Sequence, residues 1–320
     1  MTDNKRDLPQ QYLDDETDFI ELLAVIWLNK KFIVTFTTFA AFVSLLYSLS
    51  LTNEYTAKTL LSPTNSRENS ASLSQYSGLA SMAGIKLPSG GNQNQLDIAF
   101  QLVNSKKLLD RLIGYESFLP DLVAAKSWSM QTNTITYNPA LYDKKNNLWV
   151  RDVSPPFKQI PSSQEAFRKF SQLVSISKDN NSQIITLTVD HLSPVVAQQW
   201  SIWIVKEIND ILADMMISNS KASIDYLNNQ IQITPYSELR TMFYQLIQES
   251  TQSMMLAAVN PEYVLTTIDP PVIPEIKSNP NRALICIIST ILGFMLSISI
   301  VLARKYAFNK DDSLDFFRFR

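Results

Sequence analysis

The chain has 320 residues, with 28 Lys plus Arg against 30 Asp plus Glu, a formal charge of −2, and 45% hydrophobic but only 18% charged residues. That length holds one or two domains with a substantial core, and the charge balance excludes a strongly basic nucleic-acid binder or a polyacidic tail, so no nucleic-acid partner is expected. Six glycines, one His and one Cys disfavour a phosphate-cradling nucleotide fold and exclude a zinc cluster, a disulfide framework and any nucleophilic site that needs a second His or Cys.

The first strong signal along the chain is residues 32–51 (FIVTFTTFAAFVSLLYSLSL), 20 residues without a charge, and it is matched near the other end by residues 284–303 (LICIISTILGFMLSISIVLA). At about 1.5 Å per residue each reaches roughly 30 Å, the thickness of a bilayer core. Their hydroxyls (Thr35, Thr37, Thr38, Ser44, Ser289, Ser297) can bond to their own helix backbone. Two other readings stay open. Ser48-x-Ser50 resembles a signal-peptide cleavage site, and buried helices of a soluble protein can also be apolar, although these normally keep one polar face.

Lys5, Arg6, Lys30 and Lys31 precede the first span, and Arg304, Lys305, Lys310, Arg318 and Arg320 follow the second. Positive residues stay on the cytoplasmic side, so both ends read as cytoplasmic and the middle as exported. The expected division is a cytoplasmic segment 1–31, a transmembrane helix 32–51, a periplasmic domain 52–283, a second transmembrane helix 284–303 and a tail 304–320. Cys286 lies within the second span, so the exported part has no thiol.

Residues 54–62 (EYTAKTLLS) alternate as a strand leaving the membrane. Residues 62–95 are rich in Ser, Asn and Gly and hold four of the six glycines. The apolar middle of this loop, residues 77–85, is read either as packed on its own domain or as a subunit or glycan contact. Two short helices follow over residues 96–113, the second capped by Ser105. Weak strands are expected at 134–137 and 148–151. Ser162-x-x-Glu165 opens a helix to about Leu173 as a capping box. Residues 174–178 and 185–189 alternate around the turn 179–182, the clearest hairpin in the chain, and it implies a sheet with one buried face.

Ser193-Pro194 then starts a helix, and no proline or glycine interrupts residues 195–234. Ile204, Ile208, Ile211 and Met215 share a face, as do Ser220, Ile224, Leu227 and Ile231. The helical region is expected over 194–259, broken near Thr234-Pro235. A helix of this length either projects and meets other subunits or is divided into two ordinary helices folded on the sheet. A returning strand at 263–269 leads to Pro270, Pro271, Pro274 and Pro280, a stiff extended strut spanning 270–280.

The chemistry-bearing patterns are few. There is no G-x-x-x-x-G-K-[ST], H-E-x-x-H or G-x-S-x-G motif. His191 reads as a cap or a surface residue. Glu207, Asp210, Asp225, Glu238 and Glu249 have helical spacing, and a solvated face explains them better than a glycosidase pair. Asp14-Asp15 and Asp311-Asp312 face the cytoplasm, and neither span holds an Asp, Glu, Lys, Arg or His that could form a proton relay. No enzyme activity and no cofactor are expected. Ser289-x-x-x-Gly293-x-x-x-Ser297 places small residues at every fourth position, with Ala40-x-x-x-Ser44 as a complement, for close helix packing within or between chains.

The whole layout resembles the Wzz-type polysaccharide chain-length determinants, or polysaccharide co-polymerases. The resemblance rests on the acidic run 14–23 with Trp27 and Lys30-Lys31, the strand 55–61, Gln101 to Ser105, Ile185 to Asp190, and above all Ile268-Asp-Pro270-Pro271-Val-Ile-Pro274 with Asn279-Pro280-Asn281-Arg282. It implies an α+β fold: two transmembrane helices flanking a periplasmic domain with a mixed sheet at its membrane-proximal base and a long protruding helix. It further implies a homo-oligomer in a bacterial inner membrane. That oligomer would act without catalysis of its own beside a membrane polysaccharide polymerase and a lipid-linked glycan, setting the length of O-antigen, exopolysaccharide or capsule. The sequence departs from the family in a shorter helical region and in Pro270-Pro271 where a Pro-Ala type pair is usual. No kinase domain is expected in the 17 residues after Ala303. The alternative role is an adaptor for a separate cytoplasmic tyrosine kinase or export complex; a two-span sensor would need a cytoplasmic signalling domain.

Overall fold

The structure is a computed structural model and describes residues 25–64, 92–179 and 181–308. The acidic run 14–23 and the apolar loop 77–85 lie outside the described residues. The chain divides into two compact units, residues 53–279 and the two end segments, 1–52 with 280–320.

The end unit is built on α1 (Lys30–Ser50) and α8 (Arg282–Phe308). Both pass the length and hydropathy expected of a membrane-crossing helix. Only 17% and 11% of their apolar windows are buried, which is not how a soluble core helix is covered. The two run antiparallel: Ile33 near the start of α1 clusters with Ile298 and Val301 near the end of α8. Thr35, Thr37 and Thr38 return their hydroxyls to backbone carbonyls three or four residues back, so these polar groups are satisfied without leaving the helix.

The larger unit has a four-stranded sheet in the order β6-β7-β1-β8. Its strands are β1 (Tyr55–Pro63), β6 (Val174–Lys178), β7 (Ile185–His191) and β8 (Leu265–Asp269). Every pairing is antiparallel, which corrects the expected mixed sheet. The cause is where the connections land: β6 and β7 form a hairpin, and the longer helical excursions return β6 in the direction of β1 and β8 in the direction of β7, each one strand away instead of adjacent. Alternation does what it predicts. Ile185, Leu187, Val189 and His191 of β7, with Ala57, Thr59 and Leu61 of β1, point into one buried face.

That face is covered by α6 (Pro194–Ile233), a single 40-residue helix about 60 Å long. Ser193 caps it through the Val196 amide, with Pro194 in the first turn, a position where the missing N–H costs nothing. Trp200, Ile204, Ile208 and Ile211 are fully buried. They share one core with α2 (Asn92–Val103), α3 (Lys106–Ile113), α4 (Phe118–Ala124) and α5 (Ser163–Leu173). Ser105 caps α3, and Ser162 with Glu165 forms the complete capping box of α5. Two small hairpins lie between these helices: β2 (Ala125–Ser129) with β3 (Thr134–Tyr137), and β4 (Tyr142–Asp143) with β5 (Leu148–Trp149).

After the break at Thr234-Pro235, α7 (Ser237–Val259) returns along α6. Leu227 meets Phe243 and Leu246 there in a second, smaller cluster. The helical region is thus one long helix whose first half lies on the sheet and whose second half pairs with α7, rather than two helices folded on the sheet.

Candidate functional site

Three features could serve a scaffold: the paired apolar helices, the proline-rich return and the buried polar network under α6. In the end unit, Gly293 of α8 lies against Ala40 of α1. A Cβ added at Gly293 would stand 2.6 Å from the Ala40 Cβ, closer than two carbons can approach. Ser44 and Ser48 of α1 and Ser297 of α8 are buried beside this contact, and Ser289 and Ala40 are half-buried. The Ser297 hydroxyl donates to the Phe294 carbonyl (2.7 Å). Gly293 and Ala40 therefore meet within one chain.

The proline-rich segment has no regular secondary structure and is tied down at intervals. Pro271 is buried, and its carbonyl accepts from Gln198 Nε2 of α6 (2.9 Å). Pro270 is exposed and Pro274 half-buried. At the end of the segment Glu54 and Asn279 form an antiparallel bridge. The Glu54 amide donates to the Asn279 carbonyl (2.9 Å) and the Ser278 amide to the Glu54 carbonyl (2.9 Å). The first and last residues of the larger unit are thereby clasped side by side. Pro280 is the next residue and belongs to the end unit.

Asn209 of α6 is buried and holds the β8 edge. Its Oδ1 accepts from the Val264 and Leu265 amides (3.0 and 2.9 Å), and its Nδ2 donates to the Leu265 carbonyl (3.0 Å). Sequence reading had no means to single it out, because an Asn within an apolar helix face carries no local signature. His191 is not on the surface, which corrects one of its two readings. It is 3% exposed. Its Nδ1 accepts from the Ser193 amide (3.0 Å), so its Nε2 carries the proton and donates to the Asp121 carbonyl (3.3 Å). Burial pushes its pKa down to about 4, with the backbone hydrogen bonds to Asp121 and Ser193 opposing, because the low-dielectric interior disfavours the imidazolium. Asp121 is also buried and accepts from the Tyr137 hydroxyl (2.5 Å). Burial pushes its carboxyl above the usual range, with the Tyr137 hydrogen bond opposing.

Glu207 likewise departs from the solvated face expected of it. It is buried and accepts from the Tyr115 hydroxyl (2.7 Å). The reason is that α6 is enclosed by the sheet on one side and by α2 and α3 on another, so its nominally polar side is covered near its start. Asp210 pairs with Lys206 (2.6 Å), Asp225 and Glu238 are exposed, and Glu249 is half-buried. Among the described residues no three His, Cys, Asp or Glu side chains converge as a metal site.

Two family models match the chain. Residues 15–114 match the one described as "Chain length determinant protein" (Wzz). Residues 237–306 match the one described as "G-rich domain on putative tyrosine kinase" (GNVR). No curated protein matches. Among solved structures, a full-length bacterial polysaccharide co-polymerase is 14% identical, covers 94% of this chain and 99% of its own, and has a TM-score of 0.35. A fragment of WzzB, the polysaccharide co-polymerase of Salmonella Typhimurium, is 10% identical, covers 71% of this chain and 100% of its own, and has a TM-score of 0.32.

Proposed function

On the premise that the chain belongs to the Wzz-type chain length determinants, we propose that it regulates polysaccharide chain length as a non-catalytic, oligomeric scaffold beside a membrane polymerase. The observation that carries this reading is the chain-length-determinant match over residues 15–114. In the fold that stretch holds an apolar helix, the third strand of the main sheet and the helices that close its core. The polymer is O-antigen, exopolysaccharide or capsule, and the growing glycan is lipid-linked.

The proposed setting is a bacterial inner membrane, with both termini cytoplasmic and residues 53–279 in the periplasm. Lys30 and Lys31 at the start of α1 and Arg304 near the end of α8 support this orientation. Trp27, with the Lys30 ammonium 5.0 Å from its ring, makes a pair suited to a membrane interface. The retention of α1 as a span is supported by Ser48, which is fully buried in the helix pair; cleavage after it would strip α8 of its neighbour. Oligomer formation is supported by α7, whose Tyr244, Met255 and Val259 are exposed apolar side chains at helical spacing.

The test is a gel of surface polysaccharide from cells with and without the gene. A shifted or broadened length distribution in the deletion, restored by the gene, is the expected result. An unchanged ladder overturns the proposal. The match to a kinase-associated domain at residues 237–306 favours one other reading, an adaptor for a separate cytoplasmic tyrosine kinase or export complex. On that reading the deletion loses its polymer altogether.

A further inference from the structure

The larger unit holds a cleft of about 670 Å³, within the range of small-ligand sites (about 300–1,000 Å³). It opens between the α3–α4 turn, the β4–β5 hairpin and α6, away from the proline-rich segment and from α7. Aromatic rings make its walls. Tyr115 and Trp203 stack with centroids 4.3 Å apart and planes at 17°. Tyr142 meets Tyr137 edge-on at 5.4 Å and Trp149 at 5.2 Å. Tyr115, Tyr137, Trp149 and Trp203 are only half-buried, so these rings are not consumed by the core.

Two of the tyrosines are pinned from behind. The Tyr115 hydroxyl donates to buried Glu207 (2.7 Å) and the Tyr137 hydroxyl to buried Asp121 (2.5 Å). Holding the hydroxyls fixes the rings before any ligand arrives, which removes part of the ordering cost of binding. The rim adds exposed Glu116, Lys144 and Asn147. These groups carry both signs of charge, so they select neither an anion nor a cation, and they provide donors and acceptors.

We infer that this cleft binds a short stretch of neutral saccharide, with sugar C–H faces on the Tyr115–Trp203 and Trp149 rings and sugar hydroxyls on Lys144 and Asn147. A pyranose ring matches that lining because it is apolar on its faces and polar at its edge. Flat aromatic surface contributes contact at low conformational cost, and a phosphate or lipid headgroup would call for a cationic rim. The inference rests on the reading that the protein works beside a growing glycan, and it gives the larger unit a direct hold on that glycan.

The test uses the full chain in detergent and calorimetric titration with neutral oligosaccharides of increasing length, released by partial acid hydrolysis of the host bacterium's own surface polysaccharide. Inorganic phosphate serves as the second titrant. Saturable binding that tightens with oligosaccharide length is expected, with no binding of phosphate. Trp149→Ala should weaken it about tenfold, by loss of one aromatic contact. Trp149 also touches the core, so a second variant alters two exposed residues of the hairpin tip, Lys144 over the Tyr137 ring (5.3 Å) and Asn147, which accepts from the Tyr142 hydroxyl (3.3 Å). Lys144→Ala with Asn147→Gly, which keeps the left-handed backbone at position 147 (φ 52°), should weaken binding about fivefold, by loss of one or two hydrogen bonds. Absence of saturable heat, equal affinity in the tip variant and the wild type, or phosphate binding as tightly as sugar would each overturn the inference. The wild-type gene is returned to deletion cells in parallel. If it restores polymer length while the protein binds no sugar, the cleft assignment alone fails; if it restores nothing, the chain-length reading fails.

Discussion

The two halves of α6 live in different surroundings. Residues 197–212 lie in a layered base, where Trp200, Ile204, Ile208 and Ile211 are fully buried between the sheet and α2–α5. Beyond Met215 the same helix pairs, among the described residues, with α7, and its buried apolar cluster there is Leu227 with Phe243 and Leu246. The base buries enough apolar surface to hold itself together. The α6–α7 hairpin buries little and leaves Tyr226, Ile233, Tyr236 and Met255 exposed. A thin seam with apolar flanks suits an element that completes itself against other subunits, whereas a thick core suits the platform that carries it.

The largest effect expected is in the base. Trp200→Ala removes a fully buried indole and should cost about 3–5 kcal/mol, read as loss of the cooperative thermal transition by circular dichroism. Leu227→Ala in the hairpin should cost about 2 kcal/mol. It should reduce oligomer mass in detergent while leaving the base transition nearly in place. If both variants melt the base equally, the division between platform and hairpin is wrong.

Acid sharpens the comparison, because the buried titratable pair sits under the base and not in the hairpin. An unfolded His191 takes up a proton below its ordinary pKa of about 6.5, while the folded one resists until about 4. The unfolded state therefore binds more protons in that window, and stability falls as pH drops through it, by on the order of 3 kcal/mol. Asp121 works the other way. Its raised pKa lets the fold gain a proton first, which offsets part of the loss. Denaturant melts between pH 7 and 4 should show the slope, and His191→Gln should flatten it. An identical slope in the variant would assign the acid sensitivity to other groups.

A smaller effect is expected in the end unit. Gly293→Leu must push Ala40 away, since even a Cβ would lie 2.6 Å from it. Forced overpacking costs about 1–3 kcal/mol. The expected readouts are an altered oligomer mass and a changed polymer length distribution; both unchanged would remove any functional role from this contact. The smallest effect belongs to Pro274→Ala with Pro280→Ala. Each releases about 0.4–1 kcal/mol of chain stiffness, enough to broaden the polymer ladder on a gel without unfolding the base. A ladder as sharp as that of the wild type would show that the stiffness of this return is not used.

Much of the local structure was legible in the residues. Ser105, Ser162 with Glu165, and Ser193-Pro194 marked three helix starts, because capping depends on neighbours within a few positions. The strict alternation of Ile185, Leu187 and Val189 marked the buried face of β7. Less legible was α4, whose Pro120 sits near its start and whose seven residues are too few to show a period. His191 and Glu207 were misplaced for one common reason. Each is polar in sequence and buried in the fold, and its partners, Asp121 and Tyr115, lie 70 and 92 positions away.

Composition and period alone determined two uncharged stretches of membrane length, a one-faced sheet and a helical region over 194–259 with its break near Pro235, since these follow from where apolar side chains and prolines recur along the chain. Tertiary structure alone decided that Gly293 meets Ala40 within one chain, that Asn209 holds the edge of β8, and that tyrosines and tryptophans from four separate segments line one cleft. Such contacts join residues far apart in sequence, and their geometry exists only once the backbone has brought those residues together.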